Sequence, residues 1–477
     1  MTKFVIKSFV NHISANSRAV TAGGLFLAFP GEKDDGRKHI AQAIANGASA
    51  VLWDDKKFKW DANWDVENIP ITNLKLQAGV IAGQFYHKPS NKMWMIGVTG
   101  TNGKTSISHW LSQCFSYLGN KTAVIGTLGN GFAGQLEKTN NTTPDAVVLQ
   151  SKLADFVKQG AEVVAMEVSS HGLHQGRVNG VHFDVAILSN ITRDHMDYHG
   201  TMKEYTAAKR SLFDWEDLGA AVINTDDSYG EKFVKELELA NQYVMTYGIK
   251  TGAVRATSVQ YETDGISALV ETPQGNAQLN ANVIGEFNVY NLLAVLATLL
   301  VSKVPLTAAI EAIAQIKSAP GRMQLLGGGN DPTVIVDYAH TPDALEKVLQ
   351  TLKAQATHRL ICVFGCGGNR DVGKRPEMGR IASEYADTVI VTSDNPRDEN
   401  PQNIINDILS GTSGNFLIEP DRAKAIRVAV ETSEFGDIVL IAGKGHEDYQ
   451  EIAGIKQHFS DVQQVQLALK NYDEAFE

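Results

Sequence analysis

The run Gly97-Val98-Thr99-Gly100-Thr101-Asn102-Gly103-Lys104-Thr105 follows the apolar stretch Met93–Val98 and precedes an amphipathic stretch, Ser106–Leu118. Strand, glycine-rich turn and helix in that order is the setting in which backbone N–H groups cradle a phosphate at a helix N-terminus. Lys104 is placed to reach the β- and γ-phosphates and Thr105 to hold Mg²⁺. The strict phosphate-loop pattern has glycine five residues before Gly103, where this chain has Val98. Gly-Lys-Thr in this setting still reads as a nucleotide site rather than an ordinary turn. The loop does not choose the reaction, because phosphoryl transfer asks mainly for positioning and charge neutralisation, and GTPases, kinases and ligases all use it.

Residues able to do chemistry recur at the ends of other apolar runs. Glu167 sits near the end of Val163–Val168, His195 lies beyond Val185–Asn190, and Asp337 ends Val334–Asp337. Asp394 and Arg397 follow Thr388–Val391, and Glu447 follows Ile438–Ile441. In open α/β sheets the ligand crevice lies beyond the carboxyl ends of the strands, so these positions are functional candidates.

The elements that must position them form a regular pattern. From Met93 to about residue 317, β-rich runs alternate with amphipathic stretches such as Ala146–Lys158, the βαβ signal of a mostly parallel sheet. A further α/β unit follows Pro320-Gly321, with Leu360–Phe364 among its strands, while Leu292–Val301 reads as a buried helix. Before the phosphate loop, short apolar segments (Gly24–Phe29, Ala50–Trp53) alternate with Gly- and Asp-rich turns, and His87-Lys88-Pro89-Ser90 reads as a linker. The expected architecture is α/β in three domains: a small N-terminal α/β domain over 1–87, a central P-loop ATPase domain with a mostly parallel sheet over 88–317, and a C-terminal Rossmann-like α/β domain over 318–477. A length of 477 residues fits about three domains of ordinary size.

Composition narrows the class. A hydrophobic fraction of 43% with 20% charged residues is that of a soluble globular enzyme. The formal charge of −11 argues against nucleic acid as a partner, which would call for clustered Lys and Arg. Cys114, Cys362 and Cys366 are too few for a disulfide framework and fit a reducing, cytoplasmic compartment. Cys362 and Cys366 alone do not make a structural zinc site, which takes four ligands. No apolar run reaches the roughly 18 residues of a membrane span, and the start lacks a signal peptide's apolar core, so no membrane insertion is expected.

Five segments occur in fixed order: Thr99–Thr105, Glu167-Val168-Ser169-Ser170-His171-Gly172, Asp194-His195-Met196-Asp197-Tyr198-His199-Gly200, Asp337-Tyr338-Ala339-His340-Thr341-Pro342, and Gly443-Lys444-Gly445-His446-Glu447. Together they resemble the Mur ligase family, and within it the MurE type that adds the third peptide residue to UDP-N-acetylmuramoyl-L-Ala-D-Glu. The resemblance covers essentially the whole chain. It implies that ATP phosphorylates the D-Glu carboxylate to an acyl phosphate, which an incoming amine attacks. It also implies a pair of Mg²⁺ ions offsetting the repulsion between carboxylate and γ-phosphate, and a monomer working in peptidoglycan synthesis.

Carried over residue by residue, the resemblance implies ATP contacts at Gly100, Thr101, Asn102, Gly103, Lys104, Thr105, Ser106, Asn288, Arg322 and Asp337. It places Thr105 and Glu167 on one Mg²⁺, and His195 with Lys209 on the other. Lys209 matches a lysine carried as an N6-carboxylated side chain, although its residue type alone would suggest a solvated helix position. The UDP-sugar peptide falls to Ala15, Ser17, Glu32, Lys33 and Asp34, then Asn141, Thr142, Thr143, Ser169, Gln175 and Arg177. Position 15 is often a larger apolar residue in relatives.

Asp394-Asn395-Pro396-Arg397 matches the motif of members that add meso-diaminopimelate. That substrate is lysine with a second α-amino acid centre, so its site must bind an extra carboxylate and ammonium. Arg397 can grip a carboxylate bidentately, as Lys cannot. Arg370, Gly443 and Glu447 match the remaining contacts, with Glu447 suited to the distal ammonium. The rival readings are a ligase using L-Lys as acceptor, a folylpolyglutamate synthetase-like ligase, and a nucleotide-switched regulatory ATPase with no amino-acid pocket.

Overall fold

The structure is a computed structural model that describes residues 6–32, 34–139, 141–261, 265–328 and 331–476. The chain divides into two compact units, Met1–Val254 with Ala294–Val304, and Arg255–Leu293 with Pro305–Glu477. The architecture is α/β throughout, built on mostly parallel sheets.

The first unit opens with a four-stranded parallel sheet in the order His12–Ser14, Gly24–Ala28, Ala48–Asp54, Glu67–Ile71. Gly24–Ala28 is buried along its length, and the two-residue period of a strand divides its side chains between two layers. Leu25 and Leu27 pack with Leu74 and Ala78 of the helix Leu74–Phe85, while Phe26 and Ala28 pack with Ile40 and Ala43 of the helix Ile40–Ala45.

The central sheet of this unit runs Val244–Gly248, Ala220–Asn224, Val185–Leu188, Trp94–Thr99, Val163–Glu167, Thr122–Gly126, Gly129–Phe132, Gln135–Glu137. Neighbours are parallel from the first of these strands to Thr122–Gly126, and the last two pair as antiparallel ribbons. The parallel strands are near-continuous apolar runs, as strands covered on both faces must be. The helix Lys104–Tyr117 packs on Val163–Glu167 and Thr122–Gly126, burying Ile107, Trp110, Leu111 and Cys114 at helical spacing. It starts two residues before the amphipathic stretch seen in the sequence. Asp145 caps Ala146–Lys158 by accepting from the Val147 and Val148 amides, each at 3.1 Å. Trp94–Thr99 lies where the strand order reverses, between Val185–Leu188 and Val163–Glu167, so the loop after it opens at a topological switch point.

The expected linker proves to be packed rather than loose. His87 and Lys88 turn the chain with φ of 59° and 49°, Pro89–Lys92 forms a 3₁₀ turn, and buried Ser90 accepts the His182 amide at 2.9 Å.

The second unit, from Arg255 on, contains an antiparallel ladder formed by the strands Val254–Tyr261, Ile266–Thr272 and Gly275–Ala281. Its main body is a six-stranded sheet in the order Gln324–Gly327, Thr333–Asp337, Ile438–Ala442, Leu360–Phe364, Thr388–Val391, Phe416–Ile418, parallel except at the first pair. Apolar clusters cover both faces. The helix Arg422–Glu431 begins with a fully buried arginine. Arg422 holds both oxygens of Asp461 at 2.7 Å and donates to the Ala442 carbonyl at 2.9 Å. Burial alone would lower its pKa, yet the Asp461 carboxylate outweighs that and raises it. This fork fixes the start of the helix Asp461–Phe476 against the end of strand Ile438–Ala442, where the Gly443–Glu447 segment begins.

Breaking one side of a buried ion pair leaves the other charge stranded. Arg422→Met should therefore lower the stability of the second unit by about 3 to 5 kcal/mol in urea denaturation, and adding Asp461→Leu should recover much of that loss.

Candidate active site

The phosphate loop is shaped from the neighbouring strand end. Ser189 Oγ donates to the Asn102 carbonyl at 2.5 Å, Asn190 Oδ1 accepts the Asn102 amide at 3.0 Å, and the Asn190 carbonyl accepts the Thr101 amide at 2.8 Å. Gly100, with φ of 145°, passes so close that a Cβ there would lie 1.9 Å from Ser189 Oγ. Lys104 Nζ folds back to donate to the Gly100 and Thr101 carbonyls, both at 2.8 Å. Ser106 is buried in the first turn of the helix.

Beside the loop, Thr105 Oγ1 donates to Glu167 Oε2 at 3.0 Å. Glu167 is 1% exposed and also accepts the Thr127 amide at 2.8 Å and the Thr127 hydroxyl at 3.1 Å. A Cβ at Gly126 would sit 2.2 Å from this carboxylate, so glycine leaves it room. The result is a carboxylate and a hydroxyl side by side at a phosphate loop.

Lys209 departs from the solvated position that its residue type suggests. It is 2% exposed, on the inner face of the helix Met202–Arg210 with Tyr205 and Ala208. Its Nζ donates to the Gly100 carbonyl at 2.6 Å, the same oxygen that Lys104 uses, and lies 4.6 Å from the Tyr205 ring centre. Burial first and the neighbouring Lys104 charge second hold this amine well below the ordinary lysine pKa, against a smaller opposing pull from Asp194. Tyr205, its own phenol pushed up by burial, bonds Thr101 Oγ1 at 2.9 Å and so ties Lys209's helix to the loop.

Around His195 the structure assembles a group of rings. His195 has φ of 54°, pairs with Asp194 at 3.3 Å, and meets the His171 ring edge-on at 4.6 Å. His171 stacks on Tyr198 at 4.0 Å, and His199 Nε2 lies 3.0 Å from Ser170 Oγ. Burial, followed by the His195 charge, pulls His171 down to about 4.

Most of the residues expected to hold the sugar peptide form one network. Gln175 Nε2 donates to Glu32 and to the Tyr198 hydroxyl, which itself bonds Glu32 at 3.1 Å. Arg177 donates to Gln175 Oε1 at 2.7 Å and to the Thr143 carbonyl at 2.8 Å. Thr143 Oγ1 donates to the Glu167 carbonyl at 3.0 Å and lies 3.1 Å from Ser169 Oγ, while Thr142 reaches Thr127 at 3.0 Å. Asn141 is exposed next to this group. Ser17 bonds Gln42, Ala15 packs on the N-terminal core, and Asp34 pairs with His39, so these three are held by the N-terminal domain itself. Lys33 lies outside the described residues.

In the second unit, Asp337 is buried and accepts the Met323 and Ala339 amides at 2.7 and 2.8 Å; burial raises its pKa against the opposing charge of Arg322. Arg322 lies over the Tyr338 ring at 4.6 Å, and Asn288 donates to the Ile284 carbonyl at 2.7 Å. Beyond the ends of strands Thr388–Val391 and Ile438–Ala442, Asn395 Nδ2 donates to Glu447 Oε2 at 2.7 Å. Arg397, with φ of 51°, donates to the Gly368 carbonyl at 2.7 Å and pairs with Glu451 at 3.5 Å. Asp394 accepts the Asn395 amide at 2.5 Å and passes close to Gly443, while Pro396 is buried and Arg370 exposed. Thr127, Ser189, Asn190 and Lys444 are parts of these groups that the sequence reading did not single out. The first three each follow a strand within a residue or two, which was the available signal.

Residues 9–86 match the Mur ligase family catalytic domain, 98–299 the Mur ligase middle domain, and 321–445 the Mur ligase glutamate ligase domain. The chain belongs to the Mur ligase family. A Chromobacterium violaceum relative, called UDP-N-acetylmuramoyl-L-alanyl-D-glutamate–2,6-diaminopimelate ligase, is 51% identical over 464 residues, covering 96% of this chain and 94% of its own. A Pseudomonas aeruginosa protein of the same name is 45% identical over 468 residues, covering 97% and 96%. A solved ligase structure of that name superposes with a TM-score of 0.75 at 38% identity, covering 98% of this chain and 96% of its own. The Mycobacterium tuberculosis folylpolyglutamate synthase structure, at 18% identity and a TM-score of 0.63, covers 77% of this chain and 92% of its own, and shares the fold alone.

If this Mur ligase binds nucleotide at the loop described, Gly100→Ala should weaken ATP binding about tenfold or more, since backbone strain or a forced shift of Ser189 must follow. Calorimetric titration with ATP measures it.

Proposed function

We propose that the protein is an ATP-dependent amide ligase that adds meso-diaminopimelate to the D-Glu γ-carboxylate of UDP-N-acetylmuramoyl-L-Ala-D-Glu, in peptidoglycan precursor synthesis. The two relatives described above, which carry that activity in their names, are 51 and 45% identical over almost the whole chain. The observation that carries the acceptor assignment is the group formed by Asn395, Arg397 and Glu447, a cation and an anion set beside an amide. A zwitterionic amino-acid centre has the matching charges.

In this reading the loop residues Gly100 to Ser106 hold the triphosphate, with Lys104 on its outer phosphates. Asn288, Arg322 and Asp337 hold the rest of the nucleotide. The γ-carboxylate attacks the γ-phosphorus, the bond to the β-phosphate oxygen breaks, and ADP leaves an acyl phosphate. The amine of diaminopimelate then attacks the carbonyl carbon, loses a proton, and expels inorganic phosphate. Glu32, Thr142, Thr143, Ser169, Gln175 and Arg177 orient the sugar peptide, aided by Ala15, Ser17, Lys33, Asp34 and Asn141.

The donor set fits Mg²⁺. Thr105 and Glu167 offer hard oxygen ligands, and Mg²⁺ is bound through one or two carboxylates plus substrate phosphates rather than a protein cage. Mg²⁺ there would neutralise charge between carboxylate and phosphate. His195 and a carboxylated Lys209 would hold a second ion. Lys209 suits that modification because burial and the Lys104 charge lower its pKa and so favour the unprotonated amine, which can add to CO₂ with loss of one proton. The domain bounds 1–87, 88–317 and 318–477 belong to the same proposal, as does a cytoplasmic monomer. Three free, buried cysteines and the absence, among the described residues, of any helix long and apolar enough to cross a membrane support the compartment.

Purified protein given ATP, Mg²⁺ and the UDP-sugar dipeptide should form a product heavier by one diaminopimelate less water, with far less product from L-Lys. Equal use of L-Lys would overturn the acceptor assignment. ATP turnover independent of both co-substrates would overturn the ligase reading in favour of a regulatory ATPase.

A further inference from the structure

Lys444 has no role in the chemistry above, yet it is fully buried between two residues assigned to the acceptor. A lysine is seldom buried without a partner. Its Nζ donates to Asn395 Oδ1 at 3.0 Å and pairs with Glu447 Oε2 at 3.1 Å, with the Tyr449 ring centre 5.5 Å away. Asn395 Oδ1 also accepts the Glu451 amide at 3.0 Å, so both of its acceptor bonds come from fixed donors. The amide can then point only its Nδ2 at Glu447 Oε2.

The consequence falls on Glu447. One carboxylate oxygen is saturated by Lys444 and Asn395, and the other, Oε1, has no hydrogen-bond partner among the described residues. Arg397 is in a parallel position. Its charge is balanced by Glu451, and its Nη2 has no partner among the described residues. Two ion pairs thus each leave one edge open, one acidic and one basic, with no surplus of either sign between them.

We propose that Lys444 is a positioning and charge-balancing residue that makes this group select a zwitterionic amino-acid centre over a lone ammonium. Without Lys444 the Glu447 carboxylate loses its ion-pair partner and keeps only the neutral Asn395 amide as a bonded donor. It then draws any ammonium, including the side chain of L-Lys, and repels the distal carboxylate that only diaminopimelate carries. The inference rests on the reading that the distal centre of diaminopimelate binds here.

The test compares steady-state kinetics of Lys444→Met and Lys444→Gln with the parent enzyme, using meso-diaminopimelate, L-Lys and ATP as varied substrates. The glutamine variant can bond Asn395 without a charge and carries the test if the methionine variant does not fold. The expected result is a fall of about tenfold or more in the kcat/KM preference for meso-diaminopimelate over L-Lys, carried by KM for meso-diaminopimelate, with KM for ATP within about twofold. An unchanged preference, or KM values for all three substrates rising together as in a general structural loss, would overturn it. Arg397→Lys is measured alongside. If it raises KM for meso-diaminopimelate while the Lys444 variants keep their preference, the Lys444 inference alone fails; if it leaves that KM unchanged, the acceptor-site reading fails first.

Discussion

Two lysine amines converge on one carbonyl oxygen. Lys104 and Lys209 both donate to Gly100, at 2.8 and 2.6 Å, in a place that Lys209 shares with almost no solvent. Two ammonium groups bonded to one oxygen repel each other, and more strongly where little water screens them. That proximity disfavours charge on the deeper amine: burial first and the Lys104 charge second hold the Lys209 pKa well below the ordinary lysine value. Lys104 is the less buried of the two.

The same economy of charge runs through both units of a chain whose overall formal charge is −11. In the first unit, cations are held in place by neutral oxygens: Lys104 by loop carbonyls, Arg177 by Gln175 and the Thr143 carbonyl. In the second unit, cations come paired with carboxylates instead, Arg397 with Glu451 and Lys444 with Glu447. The first pattern suits a phosphate, the second a zwitterion. Beneath the second, the Arg422–Asp461 fork carries no substrate charge and fixes the strand end on which Gly443 to Glu447 stand.

The apolar runs made the parallel sheets legible, because strands covered on both faces cannot be polar. Leu360–Phe364 and Thr388–Val391 have the bounds that their residues suggested. The phosphate loop and Glu167 were legible from position, at strand ends in an α/β sheet. Lys209 was harder. Its helix is polar overall, and only the spacing of Tyr205, Ala208 and Lys209 marks the inner face, with a lysine where an apolar residue is usual. The segment His87–Ser90 read as a linker because Pro and polar residues favour loops, whereas tertiary packing buries Ser90. Lys444 lies within a recognisable motif, yet its burial has no local signature in the sequence. Thr127's hold on Glu167 joins residues 40 apart, which no periodicity reveals.

Under the proposed function, the Lys209 amine, its pKa lowered by burial and by Lys104, takes up CO₂ and becomes an oxygen ligand. Carbon-13 NMR of active enzyme equilibrated with ¹³C-labelled CO₂ reads this directly. A protein-bound carbamate resonance that is absent from Lys209→Ala is the predicted result. A fully active enzyme with no such resonance would contradict it.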